Sequence, residues 1–254
     1  MKVSIITVTF NSALYLEETI TSVLRQSYGN IEYIVVDGNS TDGTHDILKE
    51  YSNNISKIII EDDDSMYEAI NKGIRASTGD VIAILNSDDR IASTDAVEKI
   101  VETLNDDQIS GCYSNVINCY GKEKIKKRVF NVTLAEYLAS EKGTFIPHTS
   151  LYLKRHIFED VGYYNLKYKY AADFEFIIRV LEHYNLTHID EYLFLFRRHA
   201  GSITASGKIR AESRFILENN YKRPKFIPFK KLILWFKYYV RNMSVQGIIS
   251  VTRK

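Results

Sequence analysis

The chain has 254 residues, of which 45% are hydrophobic and 26% are charged, and its formal net charge at pH 7 is +1. This length suits one large α/β domain with a buried core, and the composition excludes a disordered, collagen-like or coiled-coil chain. Two cysteines, Cys112 and Cys119, are too few for a disulfide framework and lack metal-ligand spacing, so we expect structural thiols in a reducing compartment.

The first half alternates short β-rich runs with segments of helical periodicity, a pattern typical of βαβ units around a mostly parallel sheet. Strands are predicted at 3–9, 31–36, 57–60 and 81–85, with helices at 14–26, 44–51 and 66–76. The second half is less regular, with β-rich runs at 110–116 and 151–153 and a helix at 172–183. We therefore expect one sheet that the second half extends.

Polar residues cluster at the end of each predicted strand of the first half, at 7–11, 37–42, 62–64 and 86–89. In an open parallel sheet the carboxyl ends of the strands share one edge, and ligands bind there. The four clusters are thus expected to converge on one crevice.

The last part of the chain differs in charge from the rest. Residues 222–254 carry nine Lys/Arg and no acidic side chain, which leaves 24 basic against 32 acidic residues before them. On a helical wheel over 226–243, Lys230, Lys237 and Arg241 share one side, next to an apolar arc. We predict a C-terminal basic amphipathic helical tail with three roles left open: binding an anionic membrane surface, packing on the acidic domain, or forming a homo-oligomer contact. We expect no nucleic acid partner.

The beginning of the chain reads as a strand instead of an export leader, so we expect a cytoplasmic location. No uninterrupted apolar run reaches about 18 residues, so a clean membrane span is not expected. Binding of the tail to lipid would make the protein peripheral on the inner face of the cell membrane.

Several motifs together resemble glycosyltransferase family 2. They are VSIITVTFN at 3–11, IVVDGNSTDG at 34–43, DSMYEAINKG at 64–73, LNSDD at 85–89, and Ala172-Asp173. The resemblance covers roughly residues 1–205 and implies a Rossmann-like, mostly parallel sheet of the GT-A type flanked by helices. It implies a GT-A domain over 1–221, with a nucleotide-binding half at 1–110 and an acceptor-binding half at 111–221.

The family resemblance also implies an activity. The chain would transfer a hexosyl or N-acetylhexosaminyl group from a UDP-sugar donor to a hydroxyl of a glycan or lipid-linked acceptor, with inversion, in cell-surface polysaccharide biosynthesis. It would use a divalent metal, Mn²⁺ or Mg²⁺. Processive members carry a Gln-rich motif ending in Arg-Trp, whereas the single tryptophan here, Trp235, lies in the basic tail, so we expect a non-processive enzyme.

Asp37 and Asp64 are two candidate residues of the donor site. Asp37, at a strand end, can accept a hydrogen bond from a nucleobase N–H, although it could instead only close an Asp-Gly turn. Asp64 is taken as a donor-site residue, and the preceding 61–63 run as solvated charge, while Ser65 and Glu68 fit a capping box. The resemblance assigns nine residues to nucleotide-sugar binding: Thr7, Thr9, Asn11, Asp37, Asp64, Asn71, Lys72, Asn86 and Ser87.

Hard oxygen ligands at the exit of an apolar strand suit Mg²⁺ or Mn²⁺. The family's Asp-X-Asp motif reads Asn86-Ser87-Asp88 here, so its first carboxylate is missing. Asp88 is the expected metal ligand and Asp89 the reserve ligand, against the alternative of a plain polar turn.

Asp173, at the start of a helical segment, resembles the family's catalytic base, which removes the proton of the acceptor hydroxyl. Its usual preceding glutamate is Ala172, and helix capping or dipole compensation is the alternative role for the aspartate. Weaker signals assign acceptor or phosphate contacts to His148, Arg198 and His199, any of which could be structural.

Two other functions stay open. A non-catalytic family 2 partner subunit would explain the missing carboxylate and Ala172. A nucleotidylyltransferase is disfavoured because segment 7–12 contains no glycine for a phosphate-binding loop.

Overall fold

The computed structural model describes residues 1–127, 129, 131–139, 146–199 and 207–221. The predicted basic tail at 222–254 lies outside these residues. Among the described helices, none combines the length and apolar character needed to cross a membrane. Cys112 and Cys119 are free and buried, as expected for structural thiols.

Four parallel strands form the first half of a nine-stranded sheet. β1 (Val3–Thr9) lies between β2 (Ile31–Asp37) and β4 (Val81–Ile84), and β3 (Lys57–Ile60) flanks β2. β1 is buried along its whole length, as expected for a parallel strand whose two faces are covered. The carboxyl ends of these strands share one edge.

Helices cover both faces of this half. They are α1 (Leu16–Leu24), α2 (Thr44–Glu50), α3 (Met66–Ala76) and α4 (Ala96–Leu104). Because strand side chains alternate, Ile6 of β1 joins the apolar cluster that contains α3, and Ile5 joins the cluster of α1, α2 and α4. α3 lies so close to β1 that a Cβ on Gly73 would be 2.4 Å from Ile6 Cγ2.

The second half extends the same sheet through antiparallel pairs. Its strands are β5 (Arg90–Ile91), β6 (Gly111–Tyr120), β7 (Glu123–Lys127), β8 (Tyr152–Lys154) and β9 (Thr187–Arg197). β8 pairs antiparallel with both β4 and β6, and β9 runs parallel to β6. Two antiparallel steps restore the original direction, so β6 and β9 end at the edge where β1 to β4 end.

The remaining helices are α5 (Leu134–Ala139), α6 (His156–Val161), α7 (Ala172–His183) and α8 (Lys208–Asn219), with a short 3-10 helix at His148–Ser150. The 3-10 helix precedes β8, whose first residue lies at the edge where β4 ends, because the two strands are antiparallel. The mostly parallel, helix-flanked α/β fold predicted from the sequence is confirmed.

Candidate active site

A cavity of about 890 Å³ opens at the shared strand edge, and we call it the crevice. Its size is within the range usual for ligand sites. Nine of the predicted site residues line it: Thr9, Asn11, Asn86, Ser87, Asp88, His148, Asp173, Arg198 and His199. The loops after β1 and β4 therefore meet here, as the convergence argument predicts. The loop after β9 and the beginnings of α7 and the 3-10 helix, which that argument did not include, join them.

Thr7 and Asn71 lie off the crevice wall, in the framework. Thr7 is fully buried and its hydroxyl oxygen accepts a hydrogen bond from the Tyr33 hydroxyl over 3.1 Å. The Asn71 amide donates to the Tyr164 carbonyl over 2.8 Å, and its Oδ1 accepts from the Tyr164 N–H over 3.0 Å. Both ends of Asn71 are thus used to fasten α3 to the segment before α7.

Asp37 is fully buried behind the crevice. Its carboxylate accepts from the Ser40 N–H at 2.9 Å and the Ser40 hydroxyl at 2.6 Å, and His45 Nε2 lies 2.8 Å away. Gly38, the next residue, does line the crevice. This arrangement favours the turn-closing role, and a contact with a nucleobase stays a prediction that requires the carboxylate to become accessible.

The acidic run before α3 is arranged differently from the expectation. Asp64 is exposed, and its backbone N–H donates to Glu68 over 2.8 Å. Asp63, which the sequence suggested was solvated, lines the crevice instead. Burial raises the pKa of the Asp63 carboxyl, and the hydrogen bond to Lys72 opposes this shift.

Lys72 lies behind Asp63 and does not line the crevice. Its Nζ is 2.8 Å from Asp63 Oδ1 and 3.2 Å from Glu61 Oε2, and it donates to the Asp62 carbonyl over 3.0 Å. Lys72 therefore positions the acidic run. The capping box is partly formed, since Ser65 Oγ accepts from the Glu68 N–H at the N-cap of α3.

Asp88 and His199 meet on the crevice wall. His199 Nε2 is 3.0 Å from Asp88 Oδ2, and both side chains are partly exposed. Arg197 supports this pair, because its Nε donates to the Asp88 carbonyl over 3.0 Å and its guanidinium lies 4.2 Å from the centre of the Tyr15 ring. The Tyr15 ring is in turn 5.4 Å from the His199 ring.

Asp89, the reserve metal ligand, is buried and does not line the crevice. Its Oδ1 accepts from the Arg197 N–H over 2.9 Å, and its Oδ2 from the Asn86 amide over 3.0 Å. Burial, and then the neighbouring Asp88, raises the pKa of Asp89 to about 7. Asp89 thus joins the loop after β4 to the end of β9.

Ser87 and Asn11 belong to loops that are fastened to their surroundings. The Ser87 hydroxyl is 2.8 Å from the Ser12 hydroxyl, and the Ser87 carbonyl accepts from Thr19 Oγ1 over 2.8 Å. Asn11 adopts a positive φ of 50°, a conformation that asparagine tolerates better than most residues, and its Oδ1 accepts from the Thr41 N–H over 2.9 Å. The Ser12–Ser87 contact fixes the loop after β1 against the loop after β4, and the Asn11–Thr41 contact fixes it against the loop after β2.

Asp173 lies in the first turn of α7, and its carboxylate reaches the crevice. Oδ1 accepts from the Tyr67 hydroxyl and from the Phe174 N–H, each over 2.9 Å. Burial, followed by the charge of Asp173, raises the pKa of Tyr67 well above its ordinary value, so Tyr67 remains a hydrogen-bond donor. Tyr67 is a positioning residue that the sequence analysis did not identify, because α3 reads only as an amphipathic helix.

His148 also faces the crevice near Asp173. Its Nε2 is 2.7 Å from the Tyr164 hydroxyl, whose ring stacks on Tyr67 at 5.8 Å. Burial lowers the pKa of His148, against the opposing charge of Asp173, which favours the neutral imidazole at neutral pH. The crevice therefore holds one carboxylate surrounded by tyrosine and neutral histidine at its α7 end, and the Asp88–His199 pair at its β4 end.

Comparison with known proteins identifies the family of this chain. Residues 4–200 match the family Glycosyl transferase family 2. A PGL/p-HBAD biosynthesis glycosyltransferase of Mycobacterium tuberculosis is 30% identical over 183 residues, covering 69% of this chain and 68% of that protein. An uncharacterised glycosyltransferase of the same species is 32% identical over 180 residues, covering 70% and 68%.

Solved structures share the fold at low sequence identity. TarS residues 1–349 of Staphylococcus aureus in complex with UDP-GlcNAc is 18% identical, with a TM-score of 0.71 over 92% of this chain and 70% of that one. The mannosyltransferase PcManGT of Pyrobaculum calidifontis, in complex with GDP-Man and Mn²⁺, is 20% identical, with a TM-score of 0.69 over 94% and 69%. With the match over residues 4–200, the chain belongs to glycosyltransferase family 2 and is a glycosyltransferase of GT-A fold.

Proposed function

We propose that the protein transfers a hexosyl or N-acetylhexosaminyl group from a UDP-sugar to a hydroxyl of a glycan or lipid-linked acceptor, with inversion and without processivity. The observation that carries this proposal is the presence of Asp173 in the same crevice as the 86–88 loop. A base and a candidate donor-diphosphate loop in one cavity are what a single displacement requires. The relatives named for PGL/p-HBAD biosynthesis support a lipid-linked acceptor in cell-surface polysaccharide or glycolipid assembly.

Asp173 acts as the general base in this proposal. Its carboxylate accepts the proton of the acceptor hydroxyl as that oxygen attacks the anomeric carbon. The Tyr67 hydrogen bond to Oδ1 fixes the orientation of the carboxylate, which leaves Oδ2 for the acceptor. With one base and no covalent intermediate, the configuration at the anomeric carbon inverts.

Asp88 and His199 fit a divalent ion such as Mn²⁺ or Mg²⁺. They present one carboxylate oxygen and one imidazole nitrogen 3.0 Å apart on the crevice wall. The described residues contain no cluster of three candidate ligands, so water and donor phosphate oxygens would complete the shell, as is usual for such ions. When bound, the ion would neutralise charge that develops on the departing diphosphate.

The donor is proposed to be a UDP-sugar bound over the loops after β1, β2 and β3, with Asn11, Gly38 and Asp63 on the wall. TarS in complex with UDP-GlcNAc supports this choice, and PcManGT in complex with GDP-Man makes a GDP-sugar the competing donor. The location is proposed to be cytoplasmic, and peripheral on the membrane if the basic tail at 222–254 binds anionic lipid.

A non-catalytic partner subunit is the second candidate. It is favoured by Asn86, which stands where the first carboxylate of the metal motif is expected and instead donates to Asp89. Transferase activity that disappears in Asp173→Asn would exclude it. Membership of the glycosyltransferase family leaves no support for a nucleotidylyltransferase.

Calorimetric titration with UDP, GDP and CDP tests the proposal directly. Each nucleotide is titrated with Mn²⁺ and again with chelator, into the wild type and Asp88→Ala. Selective binding of UDP that weakens with chelator and in the variant is expected. Failure of every nucleotide to bind would contradict the enzyme proposal, and selective binding of GDP would replace the donor.

A further inference from the structure

The crevice continues past the candidate active site onto one face of β6, β7 and β9. Its wall there consists of Val116, Asn118, Lys127, Phe196 and Arg198. Val116 lies opposite Lys127 in the β6–β7 pair, and Asn118 opposite Phe196 in the β6–β9 pair. Cross-strand partners share a face of the sheet, so these side chains enter the same part of the cavity.

Two buried polar atoms on this wall lack a hydrogen-bond partner among the described residues. Asn118 is 8% exposed, and its Oδ1 accepts no hydrogen bond from that part of the chain. The Nε of Arg198 is also buried and has no acceptor there, while its guanidinium lies 4.5 Å from the centre of the Phe196 ring. Buried polar atoms are almost always paired in native proteins, so an orphaned acceptor and an orphaned donor on a cavity wall indicate a ligand.

The charge of this wall indicates what the ligand carries. Lys127 lies near Arg198, and burial together with the Arg198 charge lowers the pKa of the Lys127 ammonium to about 8. An anion bound on this wall would be attracted by both the ammonium and the guanidinium group, in a site where burial weakens the screening by water. A carboxylate or phosphate also accepts from guanidinium and ammonium groups, whereas Asn118 Oδ1 requires a hydroxyl or N–H.

The position in the sheet separates this wall from the donor half. The sheet order runs from β2 and β1 through β4 and β8 to β6 and β9. The donor loops follow β1, β2 and β4, so the face of β6, β7 and β9 lies on the other side of β4. A ligand there approaches the crevice from the side opposite the nucleotide.

We propose that Asn118, Lys127 and Arg198 form a subsite for an acidic acceptor sugar, which presents a carboxylate or phosphate to the two cations and a hydroxyl to Asn118. The assignment to the acceptor rests on the proposed glycosyl transfer. The anion subsite itself rests on the orphaned atoms and the charge of the wall.

Paired probes test the subsite on the full-length protein. 4-Nitrophenyl β-glucuronide is compared with 4-nitrophenyl β-glucoside, and glucose 1-phosphate with methyl glucoside, by saturation-transfer NMR with and without saturating UDP and Mg²⁺. At least one anionic probe should bind about tenfold more tightly than its neutral match, as expected for one charge-assisted contact. The preference should disappear in Lys127→Met and Arg198→Gln and persist in Lys124→Met, an exposed lysine of the same strand.

A preference for the glucuronide would identify a carboxylate, and a preference for the phosphate would identify a phosphorylated sugar. The subsite would be overturned if the wild type bound neither anionic probe more tightly than its neutral match. If Lys127→Met and Arg198→Gln weaken UDP binding and leave probe binding unchanged, the two cations contact the donor diphosphate. That result would also overturn the subsite. A probe preference in a protein that binds no UDP would contradict the proposed function and leave the anion subsite supported.

Discussion

The hydroxyl of Tyr67 donates to Asp173 Oδ1 over 2.9 Å, joining the first turn of α3 to the first turn of α7. The contact crosses the crevice floor and uses a tyrosine that is only 1% exposed. Because both residues lie in helices packed in one apolar cluster, the carboxylate is held by rigid elements instead of a loop. The orientation of the proposed base therefore depends on the Tyr67 hydroxyl.

Tyr67→Phe removes that hydrogen bond and keeps the ring. We expect kcat to fall about tenfold or more, because a misoriented base loses part of the 10²–10⁴-fold that general-base catalysis contributes. The KM for the donor should stay unchanged, since the hydroxyl that is removed contacts Asp173 and the Tyr170 carbonyl, neither of which belongs to a donor loop. Steady-state kinetics measure both constants.

Tyr33→Phe is the matched control, because Tyr33 is an equally buried tyrosine whose hydroxyl contacts Thr7 away from the crevice. An equal fall in kcat in both variants, or a rise in donor KM in Tyr67→Phe, would show that Tyr67 does not act through Asp173.

Asp173→Asn replaces the proposed base with an amide of the same shape. Sugar transfer should fall by about 10²–10⁴-fold, because an amide cannot accept the acceptor proton. UDP affinity should remain, since Asp173 belongs to the α7 end of the crevice. Product analysis and nucleotide titration on one preparation check the two outcomes, with Glu182→Gln, an exposed acid of the same helix, as the control. Transfer at the wild-type rate in Asp173→Asn would assign the base to another group.

The regular part of this fold could be predicted because local patterns and tertiary environment agree there. β1, β3, α3 and α7 have the predicted bounds, since each is a continuous apolar or amphipathic run that ends in polar residues. The position of the crevice could be predicted as well, because the carboxyl ends of parallel strands share one edge of the sheet.

Contacts between distant segments could not be predicted in the same way. β5 is two residues long and exists by pairing with β9 about a hundred residues later. Asp89 reads as a metal ligand from its position beside Asp88, but the Arg197 N–H that turns it inward belongs to β9. No local pattern carries that information.

Asp88→Ala and Asp89→Asn should separate metal binding from structural support. Asp88→Ala should weaken Mn²⁺-dependent UDP binding about tenfold or more with little change in Tm, because its side chain is on the crevice wall. Asp89→Asn should lower the free energy of unfolding by about 1–3 kcal/mol, because an amide cannot accept both buried hydrogen bonds without reorientation. Thermal denaturation and calorimetry on both variants measure the two effects. The reverse pattern, with Asp89→Asn losing the metal dependence, would restore Asp89 as a ligand.

Asp63 and Asp64 are neighbours in sequence, and substituting each in turn tests which of them belongs to the donor site. Asp63 lines the crevice, and its Oδ2 would lie 3.6 Å from a Cβ placed on Gly38, at the end of β2. Asp64 is exposed and contributes only its backbone N–H to Glu68. We therefore expect Asp63→Asn to weaken UDP binding by about threefold to tenfold, through loss of a charged acceptor beside the donor.

Asp64→Asn should leave UDP affinity unchanged, because its side chain reaches neither the crevice nor Lys72. Titration of both variants with UDP and Mn²⁺ measures the difference, and Tm values show whether loss of the Lys72 ion pair in Asp63→Asn disturbs the fold. Equal affinities for the two variants would place the donor away from the end of β2. A loss confined to Asp64→Asn would require the 61–64 segment to rearrange when the nucleotide binds, which would return Asp64 to the donor site that the sequence suggested.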